Sequence, residues 1–304
     1  MKMADLSIII VSYNVRQYLL PCIDSVIETC RELDHEIIVA DNSSGDGSAR
    51  AVKEQFPRVV VIANKNNAGF AKANNQGHEI STGDYILLLN PDTVAKPGAI
   101  KTVLDFMKAT PEAGLAGCRM VGEDGSLQRT AKRMPSVTGH LIQALFLDKW
   151  MFPENRKAFY YGQRPVKIGY PNGAFMMVRR NALKGGPILN EDYFMYAEEK
   201  DLALRLKQNG YDCYFVPGAE IVHYGGKSTD QLAIPMYLVL QKSQVKYFNK
   251  YYTGTYKRLL IWSYWLVLLT HFCAALVLPF TKYGRGRIKL LFNAVIKYPE
   301  FVNA

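Results

Sequence analysis

Short polar runs interrupt an otherwise apolar 304-residue chain at Tyr13-Asn14, Asp41-Asn42, residues 64–67 (NKNN) and Asn90-Pro91-Asp92. A denser acidic run, Glu198-Glu199-Lys200-Asp201, and an isolated histidine, His223, come much later. Carboxylates can take up a proton during a reaction, and they are the hard oxygen ligands that Mg²⁺ and Mn²⁺ prefer. The amides of Asn66 and Asn67 can read hydroxyl groups, and Gly69 lets backbone approach a ligand closely. Each run also has a structural reading. Acidic residues at a helix start answer the helix dipole. Asn-Pro-Asp makes a good turn. Asp46 reads as a loop cap rather than a ligand contact, and Asp201 and Arg205, four apart on one helical face, read as a structural ion pair.

The elements that must position these residues alternate regularly. Residues 7–11 (SIIIV) form a continuous apolar run, as in a strand buried on both faces. Leu19, Leu20, Ile23, Val26, Ile27 and Cys30 repeat at helical spacing, predicting a helix over 16–30. Strands follow at 36–40, 59–63 and 85–89. Helices lie between them, one around Val52 and Phe56 and one over 69–80. Pro97 is expected as the first residue of the next helix, with Ile100, Val103, Leu104 and Met107 inside. This alternation predicts an α/β, doubly wound, mainly parallel sheet. Ligands of such sheets bind beyond the carboxyl ends of the strands, and the first four polar runs all fall there. The second half is less regular. Strands are expected at 114–118, 173–178, 214–216 and 220–223, and helices near 137–147 and over 198–209, the latter stopped by Gly210.

The formal charge of +10 is uneven. Residues 242–304 hold ten Lys/Arg against one acid, Glu300, and so carry +9. The same tail contains a 22-residue stretch, 259–280, free of Asp, Glu, Lys and Arg. It is long enough to span a bilayer as a helix. Lys257 and Arg258 flank one end, and Lys282, Arg285, Arg287 and Lys289 the other, so an in-plane or re-entrant helix competes with a crossing, and a buried soluble helix pair is the structural reading. The tail aromatics sit in apolar runs and do not interleave with the basic residues, which argues against nucleic acid. Five scattered cysteines without a CxxC pair fit reduced thiols rather than a disulfide framework or a zinc site. No secretory signal is expected ahead of the first strand.

Seven segments in order, IIIVSYN, EIIVADNSSGDGS, NKNNAGFAKANNQG, YILLLNPDT, YPNGAFMMVRR, FMYAEEKDLALRLKQNGY and IVHYGG, resemble the GT-A-fold glycosyltransferases of family 2. They are most similar to the rhamnosyltransferase-like branch of bacterial surface polysaccharide synthesis, and the likeness covers roughly residues 6–226. It implies a GT-A type nucleotide-diphospho-sugar transferase fold, a doubly wound mixed sheet, with a C-terminal helical membrane-associating tail. Residues 1–228 would form the catalytic domain, with a nucleotide-sugar-binding half (1–120) and an acceptor-side half (121–228). Residues 229–304 would form the basic and apolar membrane segment.

The resemblance also implies residue roles. Tyr13, Asn14, Asp41, Asn66, Asn67, Gly69, Asn90, Asp92 and Gly173 would bind the nucleotide sugar. Asp41 would accept from the base imide N–H, which favours uracil or thymine. Asn90-Pro91-Asp92 stands where the family has DxD, with Asn90 replacing the first aspartate and lowering the ligand charge. Asp92 and His223 would hold a divalent cation, Mg²⁺ or Mn²⁺. Glu199 would be the general base of an inverting transfer, with Glu198 the other option. Glu199 replaces the more usual aspartate, so its reach is longer by a methylene. Gly173 would leave room against the donor sugar, and Arg129 and Arg133 sit where the family places groups near phosphate or acceptor. The expected partners are a UDP- or dTDP-sugar, a lipid-linked or glycan acceptor, and the cytoplasmic side of the plasma membrane, bound peripherally or by a single span. A nucleotidyltransferase would need glycines after the first strand, which VSYNVRQYLL lacks. A non-catalytic sugar-nucleotide scaffold would have lost the paired glutamates. A dinucleotide oxidoreductase would need GxGxxG there.

Overall fold

The computed structural model describes residues 4–155, 157–225, 233–277 and 288–302. Gly226 of the last motif, the expected 228/229 boundary, positions 278–280 of the apolar stretch, and Lys282, Arg285 and Arg287 lie outside them.

β1 (Leu6–Ser12), α1 (Arg16–Thr29), β2 (His35–Asp41), α2 (Ser48–Gln55), β3 (Val60–Ala63), α3 (Phe70–Ile80) and β4 (Tyr85–Leu89) alternate as the apolar periodicity requires. β5 (Thr93–Ala95), α4 (Ala99–Ala109), β6 (Ala113–Val121), β7 (Leu127–Gln128), α5 (Val137–Ala144), α6 (Asp148–Met151), α7 (Lys157–Tyr160), β8 (Val166–Ile168) and β9 (Phe175–Arg179) follow. Then come α8 (Glu198–Gln208), β10 (Asp212–His223), α9 (Ala233–Tyr251), α10 (Gly254–Val277) and α11 (Ile288–Val302). The strands of the described residues form one mixed sheet in the order β3-β2-β1-β4-β9-β6-β10-β5, with β7 on β6 and β8 on β10. β1 pairs in parallel with β2 and β4, and β2 with β3. β9 is inserted antiparallel between β4 and β6.

Period-two alternation sends neighbouring side chains of β1 to opposite faces. Leu6, Ile8 and Ile10 pack with Leu19, Ile23 and Val26 of α1 and with Ile100, Val103 and Leu104 of α4. Ile9 packs on the other face with Ala71 of α3 and Leu202 and Leu206 of α8. Helices cover both faces, so the central strands read as unbroken apolar runs. Each fully buried aliphatic side chain here contributes about 1.5–3 kcal/mol.

Two expected elements differ. Pro97 is not the first helical residue: the chain first turns through Lys96–Ala99, Gly98 caps α4 in the left-handed region (φ 76°), and the helix starts at Ala99. The expected strands 214–216 and 220–223 are one strand, β10, with a register shift between Val216 and Glu220. Pro217 cannot donate to a ladder, and the shift absorbs it within the strand. β5 and β7, too short to carry a periodicity, had no sequence signature.

The chain divides into two compact units. The first comprises residues 1–133, 157–194 and 198–230, and holds the sheet. The second comprises 134–156, 195–197 and 231–304. Val245, Leu268, Ala275, Leu291, Ala294 and Tyr298 of α9, α10 and α11 form its core. All five cysteines are free thiols, four of them buried.

Candidate active site

The polar runs do lie at the carboxyl ends of β1–β4. Asp41 closes β2, and its Oδ2 accepts from the Ser44 N–H at 3.0 Å. Its other oxygen, Oδ1, is buried and has no hydrogen-bond partner in the structure. A buried carboxylate oxygen without a donor is costly, and a ligand N–H would relieve it. Tyr13 is half-buried at the end of β1. Asn14 has a left-handed φ of 53° and braces the neighbouring loop, its Oδ1 accepting from the Gly45 N–H at 2.7 Å. Asp46 caps as expected: Oδ1 accepts from the Ser48 N–H at 3.0 Å, and Oδ2 from the Arg16 N–H at 2.8 Å.

Asn66 and Asn67 are exposed. Asn67 Oδ1 accepts from the Gly69 N–H at 3.0 Å, and Asn42 Nδ2 donates to the Gly69 carbonyl at 3.2 Å, so this loop is tied to β2. Gly69 has φ 83°, and a Cβ there would lie 2.8 Å from the Phe194 backbone oxygen. The close approach that demands glycine is therefore to Phe194, whose carbonyl also receives the Phe70 N–H at 3.0 Å.

Asp92 and His223 meet because β5 follows Asp92 directly and pairs antiparallel with β10, Thr93 opposite His223. The Asp92 carbonyl accepts from the Tyr224 N–H at 2.9 Å, and the Tyr224 ring rests 5.3 Å from that of Tyr18. The side chains of Asp92 and His223 are buried. His223 Nε2 faces Asp92 Oδ1 at 3.5 Å and makes no hydrogen bond. Gln128 sets the ring. Its Nε2 donates to the His223 carbonyl at 2.7 Å, which fixes the amide orientation, and its Oε1 then accepts from Nδ1–H at 2.7 Å. The remaining Nε2 carries its lone pair toward the Asp92 carboxylate. Two electron-donating atoms facing one another, one held by an outer hydrogen bond, have the chemistry to ligate a cation together. Among the described residues no cluster of three or more His, Cys, Asp or Glu could hold a metal by itself. The pair thus fits Mg²⁺ or Mn²⁺ only if a ligand supplies further oxygens.

The acidic run opens α8. Tyr196 and Ala197, both left-handed although neither is glycine, precede it (φ 68° and 72°), and such strain tends to gather at functional sites. Asp201 is fully buried, and its Oδ1 accepts from Arg205 Nε at 2.9 Å. Arg205 also donates to the carbonyls of Pro187 and Ile188, so this pair is structural as expected. Glu198 and Glu199 are both buried. A Cβ on Gly173 would lie 3.4 Å from Glu199 Oε1, so the room at Gly173 is taken up on one side by that carboxylate. The next carbonyl, of Ala174, accepts the Asn90 N–H at 3.0 Å, which joins the Glu199 side of the site to the Asn90-Pro91-Asp92 turn.

Three neighbours of Glu199 were not foreseen. Lys132 Nζ lies 3.9 Å from Glu199 Oε1. Lys132 and Lys200 both sit over the Tyr170 ring, 5.5 and 5.7 Å from its centroid. Burial pulls the Lys200 ammonium down to about 8, Glu199 opposing this and Lys132 adding to it. Burial also pushes the Tyr170 hydroxyl up. An isolated bridge between Lys132 and Tyr170 brings these residues together, and single residues of that kind leave no periodic trace in sequence.

A family model described as glycosyl transferase family 2 matches residues 7–186. The N-acetylglucosaminyl-diphospho-decaprenol L-rhamnosyltransferase of Mycobacterium tuberculosis is 28% identical over 75% of this chain and 78% of its own length. Rhamnosyltransferase WbbL of Escherichia coli is 24% identical over 71% of this chain and 82% of its own. Among solved structures, the mannosyltransferase PcManGT of Pyrobaculum calidifontis, in complex with GDP-Man and Mn²⁺, superposes with TM-score 0.62 at 17% identity, covering 98% of this chain and 88% of that one. S. aureus TarS in complex with UDP-GlcNAc superposes with TM-score 0.56 at 15% identity, covering 98% and 81%. At these identities the two structures share the fold.

Proposed function

Because the chain belongs to glycosyl transferase family 2, we propose that it is an inverting, metal-dependent enzyme that moves a hexose, rhamnose first among them, from a UDP- or dTDP-sugar to a hydroxyl of a lipid-linked or polysaccharide acceptor. One observation carries this reading: the Asn90–Ala174 hydrogen bond places Glu199, against Gly173, beside the turn that leads into the Asp92–His223 pair.

Glu199 takes the proton from the acceptor hydroxyl as its oxygen attacks the anomeric carbon, a role that contributes about 10²–10⁴-fold. Asp41 Oδ1 accepts from the imide N–H of the base. Asp92 and His223 Nε2, with the donor's diphosphate oxygens, would hold a divalent cation, which supplies neutralisation of the charge on the departing diphosphate. Burial of Glu199 and Asp92 keeps water from competing with the acceptor. The rhamnosyltransferase relatives support the lean toward a deoxyhexose donor, and the decaprenol-linked acceptor in one relative's name supports a polyprenyl diphosphate glycan. GDP-Man with Mn²⁺ and UDP-GlcNAc in the structural neighbours support a nucleotide-sugar donor and a divalent cation.

α10 is long and apolar enough to cross a membrane, and only 28% of its most apolar window is buried. With the +9 charge of residues 242–304, this supports attachment to the cytoplasmic face of the plasma membrane. The test is nucleotide release from UDP-, dTDP- and GDP-sugars with Mg²⁺ or Mn²⁺ and a bacterial lipid extract as acceptor source. Release from one donor that disappears in Asp92→Ala is expected. Equal release in Asp92→Ala would remove the metal-site assignment.

A further inference from the structure

The sequence places membrane-associating residues only beyond residue 228. Within the second unit, however, α5 runs alongside α10 in the same direction. His140 Nδ1 lies 3.0 Å from Ser263 Oγ, and further along the Phe146 ring stacks on His271 at 4.8 Å between centroids. The turn from α5 into α6 therefore arrives at the C-terminal end of α10. α11 runs the opposite way. Its Tyr298 hydroxyl donates to the Ile261 carbonyl at 3.0 Å, and Phe292 meets Phe272 at 5.9 Å, so α11 begins near that same end.

Large apolar side chains are exposed on all three elements there. Trp150 is 77% exposed, Leu145 67%, Met151 55%, Val277 78% and Phe292 49%, with Leu147 beside them. Isolated exposed apolar residues need no explanation, but a convergence from three elements does. Residues 145–152 read LFLDKWMF, and their one helix has four residues, too few to bury its own apolar side chains.

We propose that residues 145–151 form, with the C-terminal end of α10 and the start of α11, a two-part surface that inserts into an anionic bilayer. The inference rests on the membrane attachment proposed above and extends it to a segment a hundred residues upstream. Charge selects lipid over a second protein. At the start of α11 the exposed positions are Lys289 and Phe292, and an apolar body beside a cationic tip suits the headgroup boundary. Protein interfaces are instead depleted in lysine. The +9 of residues 242–304 complements acidic headgroups.

The chain has three tryptophans, Trp150, Trp262 and Trp265. In full-length W262F/W265F, Trp150 alone reports its surroundings. On vesicles of phosphatidylcholine and phosphatidylglycerol with brominated acyl chains, its emission should shift to shorter wavelength and be quenched. Leu147→Ser/Trp150→Ser in the otherwise wild-type chain should lower vesicle partition by about tenfold or more. Vesicle binding with unquenched Trp150 overturns the proposal and leaves the tail attachment standing. Trp150 shielded from acrylamide before any lipid is added, in a protein that sediments as a dimer, overturns it in favour of a second copy. Failure to bind vesicles at all removes the membrane reading itself.

Discussion

His223 Nε2 and Asp92 Oδ1 face each other across 3.5 Å, with no proton donor between them. The Gln128 amide determines this, because its Oε1 accepts the Nδ1–H hydrogen bond and leaves the Nε2 lone pair facing Asp92. Gln128→Leu should therefore weaken Mn²⁺ binding in the presence of nucleotide by about 10–100-fold, with the fold intact by circular dichroism. Mn²⁺ titration followed by electron paramagnetic resonance measures this directly. An unchanged affinity would mean that Gln128 does not orient the ring.

Glu199→Gln should lower kcat by about 10²–10⁴-fold while donor affinity, measured calorimetrically, stays near wild type. Glu198→Gln should cost less. The reverse ranking would move the base to Glu198.

Gly173→Ala puts a methyl group 3.3 Å from Glu199 Cγ and 3.4 Å from its Oε1. The carboxylate must give way by a few tenths of an ångström. A fall in kcat of roughly tenfold, approaching the 10² that misplacement of a reacting group can cost, should appear with little change in thermal stability. Equal losses in kcat and in melting temperature would point to packing alone.

Asp41→Asn replaces an acceptor by an amide that also donates. Affinity for uracil or thymine nucleotides should fall by about tenfold, the worth of one charged hydrogen bond. Competition by UDP, dTDP, CDP and GDP against a labelled donor reads it out, and uniform loss across the four would exclude base reading by Asp41.

Lys200 in the folded protein titrates at about 8, below its ordinary 10.5, because burial disfavours the charged form. The unfolded chain binds more protons between these values, so stability should rise with pH over that interval, at roughly 1.4 kcal/mol per unit at most. Lys200→Met should flatten the rise in melting temperature between pH 8 and pH 10. A wild-type profile as flat as the variant's would exclude a strained Lys200.

The sequence by itself determined the elements and their chemistry where both are local. Runs such as 7–11 and 85–89 are apolar at every position because helices cover both faces of the sheet, and that composition is visible without coordinates. The polar runs follow those strands in the chain, so their gathering at one rim was legible too. The paired glutamates at the start of α8 were legible for the same reason.

Tertiary structure alone decided the contacts between distant segments. Nothing near Asp92 announces β5, whose three residues are too short for a periodicity, yet its pairing with β10 brings His223 to Asp92. Gln128 and Lys132 reach the site from β7 and a lone bridge, each by a single side chain. The approach of Phe194 to Gly69, too close for a Cβ, is likewise visible only in the packed chain. Residues 134–156 read as part of the sheet domain and instead cluster with the C-terminal helices. Backbone propensity acts over a few neighbouring residues, whereas strand register and the choice of packing partner depend on surfaces that exist only once the chain has folded.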